Sequence, residues 1–180
     1  MLCATVAQSE DQTSATSENQ ILSPSAPVGF VYDFAGVIPA DRRAMIAQLT
    51  RNVRAQSPGD IAVVTLKEIG RRNIVDVARE LGRQWQAGEI GNSGHSMHHA
   101  GVVILVVPKE TSVDGMGHCW IAPVRGGGGG ITDADAGDIC REATPFFQQR
   151  SYGDALTLVT YRVAQRFAQQ FHFTLDIMPP

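Results

Sequence analysis

The feature that most constrains the fold is the run Gly101–Val107 (GVVILVV), which contains no polar side chain. It is far shorter than the ~18 residues that a membrane-spanning helix needs. Its β-branched residues lie between a polar loop and a turn, which is typical of a strand buried on both faces. The run Ile61–Leu66 (IAVVTL) has the same character and follows the turn Ser57–Asp60. Two such strands predict a sheet covered by helices on both sides.

Helical patterns alternate with these strands. Gly117–Val124 is predicted to be a neighbouring strand, which could pair with Gly101–Val107 as a hairpin. Pro145 predicts a kink or break near Thr144 in the helix that starts at Asp133. The resulting order predicts a single, Rossmann-like α/β/α sandwich, with a mostly parallel sheet of about four strands flanked by about four helices. Three further helices show apolar residues on one face: Met45, Ile46, Leu49 and Val53; Ile74, Val77, Ala78 and Leu81; and Leu156, Val159, Val163, Phe167 and Phe171.

A run of five glycines, Gly126–Gly130, leads directly into a predicted helix start. Thr132 is expected to cap this helix, and Asp135 to complete a capping box. Backbone N–H groups and the helix dipole favour an anion at such a position. Asp133 and Asp135 would instead repel a free phosphate, or bind a cation that recruits one. The alternative is a flexible loop followed by an ordinary acidic first turn.

Composition excludes several classes of protein. The 180 residues are 43% hydrophobic and 18% charged, which fits one globular domain with a real core. A formal net charge of −3 gives no sign of a nucleic-acid partner. No stretch is long and apolar enough for a transmembrane segment. Neither a glycine-rich dinucleotide fingerprint nor a P-loop lysine is present.

The three cysteines are Cys3, Cys119 and Cys140. Their spacing does not suit a metal site, and an odd number cannot be fully paired within one chain. Cys119 and Cys140 fall within apolar patterns, so we expect both to be buried free thiols.

Residues 1–27 are expected to lie outside the folded domain, which should span residues 28–171. Met1–Ala7 is either the remnant of an export signal or a segment without a targeting role. It lacks the charged start and the full apolar core of a complete signal peptide. Gln8–Pro27 is rich in Ser, Thr, Gln, Glu and Pro, which predicts a disordered leader or tether. Residues 172–180 are predicted to form a frayed tail.

Five segments form a recognisable series: Val31–Ile38, Gly59–Thr65, the helix ending at Trp85, Gly101–Val106 and Ile131–Gly137. Together they resemble the TPM domain, over roughly Phe30 to Gln170. The resemblance implies a compact α/β/α domain, usually exported to the cell envelope or, in plants, to the thylakoid lumen. Plant members are described as acid phosphatases with a role in photosystem repair, and some members bind calcium.

The same resemblance implies an acidic cluster that includes Asp33 and Asp133. A third contribution should come from the loop before Gly101, where this chain has His99 in place of the family's aspartate. The family's Gly-Tyr-Gly-Leu-Glu run is replaced by Val124–Gly128, so its tyrosine and glutamate are missing.

Because of these replacements, the sequence does not determine which metal ion the site would bind. The proposed ligands are Asp33, His99 and Asp133. Calcium, which the resemblance implies, prefers six to eight oxygen ligands, whereas imidazole suits zinc or another transition metal. The alternative is a solvated polar loop whose histidines are incidental. Two of the histidines His95, His98, His99 and His118, together with Asp33 and Asp133, would form a nitrogen and oxygen site suited to a transition metal.

Two functions follow from these observations. The first is a non-catalytic, exported module that binds or assembles a membrane-associated complex in the periplasm or cell envelope through a degenerate acidic groove. The second is a metal-assisted acid phosphatase that hydrolyses phosphate monoesters, with Asp33 or Asp133 as base or nucleophile. In the second case the phosphate would be held by Arg125, Gly126, Gly127, Gly128 and Thr132.

Overall fold

The structure is a computed structural model and describes residues 30–89, 100–125 and 130–176. Its strands are β1 (Val31–Asp33), β2 (Gly59–Thr65), β3 (Ala100–Val107) and β4 (His118–Arg125). Its helices are α1 (Ala40–Gln56), α2 (Ile74–Glu89), α3 (Asp133–Glu142), α4 (Thr144–Gln148) and α5 (Tyr152–Phe171).

The four strands form one sheet in the order β1-β2-β3-β4. The first three are parallel, and β4 pairs with β3 in the antiparallel direction, as expected for a hairpin. We call the edge where β1, β2 and β3 end, at Asp33, Thr65 and Val107, the carboxyl edge. The opposite edge, where β3 begins and β4 ends at Arg125, is the amino edge.

Each face of the sheet has its own apolar core, so the predicted three-layer α/β fold is confirmed. In β2, Ile61 and Val63 face one core while Ala62 and Val64 face the other, as the alternation of a strand requires. The first core is covered by α1, α3 and α5, and the second by α2. Strands buried on both faces explain why β2 and β3 are so uniformly apolar.

Helix boundaries follow local sequence signals. α3 ends at Glu142 and α4 begins at Thr144, so the predicted break before Pro145 is confirmed. α2 extends to Glu89, beyond the predicted end at Trp85. After α5, Phe173 and Leu175 pack against the first core. Among the described residues, no helix has the length and apolar character required to cross a bilayer.

The prediction of two free thiols is wrong, because Cys119 and Cys140 form a disulfide. Cys119 lies in the second position of β4 and Cys140 lies on α3, which packs on that strand, with the two Cα atoms 5.9 Å apart. The odd number of cysteines excludes only the pairing of all three, and Cys3 is the one left over. Apolar surroundings are equally typical of a free cysteine and of a buried disulfide, so the local pattern could not decide between them.

Candidate functional site

Asp33 ends β1 at the carboxyl edge, and its carboxylate accepts four hydrogen bonds. Oδ1 accepts from the Val37 backbone N–H at 3.0 Å and from the Thr65 hydroxyl at 2.5 Å. Oδ2 accepts from the Ile38 backbone N–H at 2.9 Å and from the Arg43 guanidinium at 2.9 Å. A carboxylate has about four acceptor positions, and all of them are used here.

Burial and hydrogen bonding act in opposite directions on Asp33. Only 1% of its side chain is exposed, and burial raises the pKa of the carboxyl. The hydrogen bonds from Thr65, Ile38, Val37 and Arg43 outweigh burial and hold the pKa below its ordinary value of 3.8. Asp33 is therefore an ionised, enclosed carboxylate.

The start of α3 has the predicted capping box. The Thr132 hydroxyl accepts from the Asp135 backbone N–H at 3.2 Å, and Oδ2 of Asp135 accepts from the Thr132 N–H at 3.0 Å. Arg166 binds the other carboxylate oxygen of Asp135 at 2.5 Å. Asp133, in contrast, is exposed, and no donor in the described part of the chain lies within hydrogen-bonding distance of its carboxylate.

The remaining predicted site residues are at or beyond the limits of what the structure describes. Arg125 ends β4 opposite Gly101 at the amino edge, but its side chain is not described. Gly126, Gly127 and Gly128 lie outside the described residues, as does His99 with the rest of its loop. Their proposed contacts with a phosphate or a metal stay predictions.

The structure does not bring Asp33 and Asp133 together. Asp154, at the start of α5, pairs with Arg42 in the first turn of α1. The next residue in that turn, Arg43, binds Asp33. Arg166, near the other end of α5, binds the capping carboxylate at the start of α3. At 1.5 Å of rise per residue, these two points on α5 are roughly 18 Å apart. Asp33 thus lies at the carboxyl edge, and Asp133 lies towards the amino edge.

His118 also lies at the carboxyl edge, because it begins β4 and Arg125 ends that strand at the amino edge. Its Nε2 lies 2.8 Å from Oδ2 of Asp114 in the loop between β3 and β4. Within residues 30–89, 100–125 and 130–176, no three His, Cys, Asp or Glu side chains are grouped closely enough to hold one metal ion.

Sequence reasoning missed a cavity of about 330 Å³ at the carboxyl edge. It lies where β3 ends and β4 begins, it is open to solvent, and it is bordered by α3, α4 and the first residue of α5, Tyr152. The Tyr152 hydroxyl donates to Glu110 and accepts from the Lys109 backbone N–H at 3.3 Å. Burial, together with the bond to Glu110, raises the pKa of Tyr152 to about 12, so the phenol stays protonated. The lining residues come from segments that are distant in the sequence, so no local motif predicts this cavity.

Comparison with known proteins agrees with this architecture. The chain matches the family model described as the TPM domain over residues 31–166. The solution structure of the N-terminal domain of a P. gingivalis protein is similar, with a TM-score of 0.64 and 22% identity over 89% of this chain and 94% of that one. The BA42 protein of Bizionia argentinensis aligns with a TM-score of 0.54 and 16% identity, over 74% of this chain and 83% of that one. At these identities, the two solved structures show a shared fold. No curated protein matches the chain.

Proposed function

This chain belongs to the TPM-domain family, and we propose that it is a non-catalytic module that binds or assembles a membrane-associated protein complex in the cell envelope. A metal-assisted phosphatase is the second candidate. The two differ in whether the acidic residues perform chemistry or maintain the fold.

The observation that carries the proposal is the environment of Asp33. A nucleophile, a general base or a metal ligand needs a lone pair directed at its target. Both oxygens of Asp33 already accept two hydrogen bonds each, from donors on three separate parts of the chain. Using this carboxylate for chemistry would require breaking the contacts that hold the loop after β1. Its geometry suits a structural role.

The amino edge retains one candidate carboxylate, Asp133, in the described residues. The resemblance places a second carboxylate at the position of His99 and a third in the run that here is Val124–Gly128. Calcium prefers six to eight oxygen ligands. Losing both carboxylates removes two negative charges from that site, which supports an acidic groove that has lost its catalytic function.

The carboxyl edge carries exposed apolar side chains suited to a protein partner. Val113 is 71% exposed and Met116 is 60% exposed in the loop between β3 and β4. Phe34 follows β1, and Phe146 lies on α4. Single exposed apolar residues are common, but the large ones found exposed in the described residues all lie at this edge. We therefore assign partner binding to the carboxyl edge.

The disulfide supports an exported location. Disulfides persist in oxidising compartments and are rare in the cytosol of most cells. Cys119 and Cys140 are joined, so the periplasm or another envelope compartment suits the chain.

One observation favours the phosphatase alternative. Asp133 is exposed at the start of a ten-residue helix, three residues after the last glycine of the run, and its carboxylate has no hydrogen-bond donor among the described residues. A free carboxylate beside backbone N–H groups could hold a cation that binds phosphate. In that case Asp133 would be the essential residue of the site.

Two measurements together test the proposal. Hydrolysis of p-nitrophenyl phosphate would be followed with Ca²⁺, Mg²⁺, Mn²⁺ or Zn²⁺, for the wild type and for Asp133→Asn. We expect no metal-dependent turnover above that of the variant. A photo-crosslinking amino acid at Met116 should join the chain to one discrete envelope protein, whereas the same amino acid at Arg79, on α2, should not. Turnover that disappears in Asp133→Asn would establish the phosphatase instead, and equal crosslinking from both positions would remove the carboxyl edge as the docking surface.

A further inference from the structure

The cavity at the carboxyl edge has an apolar interior. Its floor includes the side chain of Val106 at the end of β3, which is 1% exposed, whereas Val107 turns its side chain to the second core and can contribute only backbone. One wall is the Phe147 ring, whose centre lies 6.0 Å from that of Tyr152. The Cys119–Cys140 disulfide forms part of another wall. A ligand body placed here would contact aliphatic carbon, aromatic rings and sulfur.

The cavity is held open by fixed elements. The disulfide ties the start of β4 to α3. Tyr152 is tied to the segment after β3 by the hydrogen bonds of its hydroxyl with Glu110 and the Lys109 backbone. At about 330 Å³, the volume lies at the lower end of the range for small-molecule sites. It therefore suits a small ligand in a largely preformed site.

The charges around the cavity are asymmetric. Its lining includes the basic residues Lys109, His118 and Arg141 and contains no aspartate or glutamate. No described carboxylate lies within ion-pairing distance of the Lys109 ammonium group. Arg141 pairs with Asp138 where both side chains are about 70% exposed, and an exposed pair of this kind is weak. Lys109 and Arg141 are thus available to a ligand.

The acidic residues near the cavity are engaged elsewhere. Glu110 accepts from the Tyr152 hydroxyl and pairs with Arg150 at 2.8 Å, outside the lining. Asp114 accepts from Ser112 and from the Met116 backbone as well as pairing with His118. Arg150 offsets the charge of Glu110, and the Asp114 carboxylate is held within its own loop, so Lys109 and Arg141 are the charged groups of the lining.

We propose that this cavity binds a small amphiphilic anion, with its apolar body against Val106, Phe147 and the Cys119–Cys140 disulfide and its carboxylate or phosphate head between Lys109 and Arg141. The cavity lies at the same carboxyl edge as the exposed apolar side chains assigned to partner binding, but it is lined by other residues. Ligand binding here depends neither on a protein partner nor on any chemistry at Asp133.

The test compares four eight-carbon probes, each below its aggregation concentration, by isothermal titration and by amide chemical-shift mapping on the intact chain. Octanoate and octyl phosphate carry the two candidate heads, 1-octanol is neutral, and octylammonium is cationic. We expect at least one anion to bind about tenfold more tightly than 1-octanol, as loss of a charge-assisted contact implies. Shifts should be centred on Val107, His118 and Phe147. Which anion binds more tightly identifies the head group.

Variants separate recognition of the head from general apolar binding. Lys109→Met combined with Arg141→Met should reduce the affinity for the anion to that for 1-octanol. The matched control is Arg79→Met combined with Lys67→Met, which removes the same charge from residues outside the lining and should leave the affinity unchanged. Thr144→Trp should block every probe by filling the cavity. Absence of binding by both anions, equal binding of anion and 1-octanol, or unchanged affinity in the Lys109/Arg141 variant would each overturn the proposal.

Discussion

The Thr65 hydroxyl donates a 2.5 Å hydrogen bond to Oδ1 of Asp33, across the last register pair of β1 and β2. The same hydroxyl oxygen accepts from the Ala35 backbone N–H at 3.2 Å. Thr65 is fully buried, and the Asp33 side chain is almost so. Two neighbouring strand ends are thereby joined to the turn that leads into α1, and the carboxylate is the centre of that junction.

The first prediction concerns the stability of this junction. Asp33→Asn should lower the free energy of unfolding by roughly 2–4 kcal/mol, because hydrogen bonds to a charged group weaken and one amide nitrogen now faces donors. Urea denaturation at pH 7 measures this loss. Asp133→Asn, an equivalent change at an exposed position, should stay within about 0.5 kcal/mol of wild type. An Asp33→Asn protein as stable as the wild type would remove the structural role and reopen a catalytic one.

The second prediction concerns acid stability. The folded-state pKa of Asp33 lies below 3.8, so its contribution to stability is fully present above the unfolded-state pKa and is lost as the pH falls through the folded-state pKa. The difference in unfolding free energy between wild type and Asp33→Asn should be constant above about pH 5. It should shrink progressively below 3.8.

Taking that difference isolates Asp33 from the other acidic groups. Glu110, Asp114 and Asp135 also have lowered pKa values, chiefly through hydrogen bonds from Tyr152, Ser112 and Thr132 respectively. They are present in both proteins and cancel in the subtraction. A difference that grew on acidification would mean that the pKa of Asp33 is raised in the folded state.

The third prediction uses two helical glycines with different surroundings. A Cβ at Gly153 would lie 2.8 Å from Cδ of Pro39 and 2.8 Å from Cγ of Arg42. The proline ring cannot move without shifting the start of α1, so Gly153→Ala should destabilise the protein by about 1–3 kcal/mol. Thermal and urea unfolding would measure this loss.

Gly137 provides the matched control on α3. A Cβ there would lie 3.3 Å from the guanidinium end of Arg141, which is flexible and exposed. Gly137→Ala should therefore stabilise the protein by about 0.5–1 kcal/mol through helix propensity. Loss of stability in both variants would show that the two glycines are constrained for a common reason other than the contact with Pro39.

Much of the fold was predictable because its signals are local. The uniformly apolar β2 and β3 require cover on both faces, and the sheet provides it. The capping box of Thr132 and Asp135 depends on residues three apart, and it forms as expected. Pro145 interrupts the helical pattern through its own ring and missing N–H, independently of tertiary contacts, and α3 ends just before it. In each case the deciding interaction lies within a few residues.

The arrangement of the site was not predictable in the same way. The direction of β4 determines which edge the glycine run leaves from, and an antiparallel β4 ends at the edge opposite Asp33. At about 3.3 Å per residue, Arg125 is displaced from the level of Asp33 by roughly 16 Å along the strands. The carboxyl-edge cavity depends on the packing of α3 and α4 against β4. Such relations are set by tertiary packing, and no local pattern encodes them.

The last prediction concerns the disulfide between Cys119 and Cys140. Linking residues 21 apart in the sequence restricts the unfolded chain, and the chain-entropy relation gives about 3 kcal/mol of stabilisation for such a loop. Dithiothreitol or the variant Cys119→Ser/Cys140→Ser should lower the free energy of unfolding by about that amount. Cys3→Ser should leave it unchanged.

Alkylation of the unfolded chain shows directly which thiols are free. Without reduction, iodoacetamide should modify one of the three cysteines, Cys3, and after reduction it should modify all of them. Because the disulfide also forms a wall of the carboxyl-edge cavity, its loss should weaken binding of the anionic probe under conditions where the chain stays folded. Three modified cysteines in the unreduced protein would contradict the pairing. Unchanged probe affinity after reduction would show that α3 keeps its place on β4 without the covalent link.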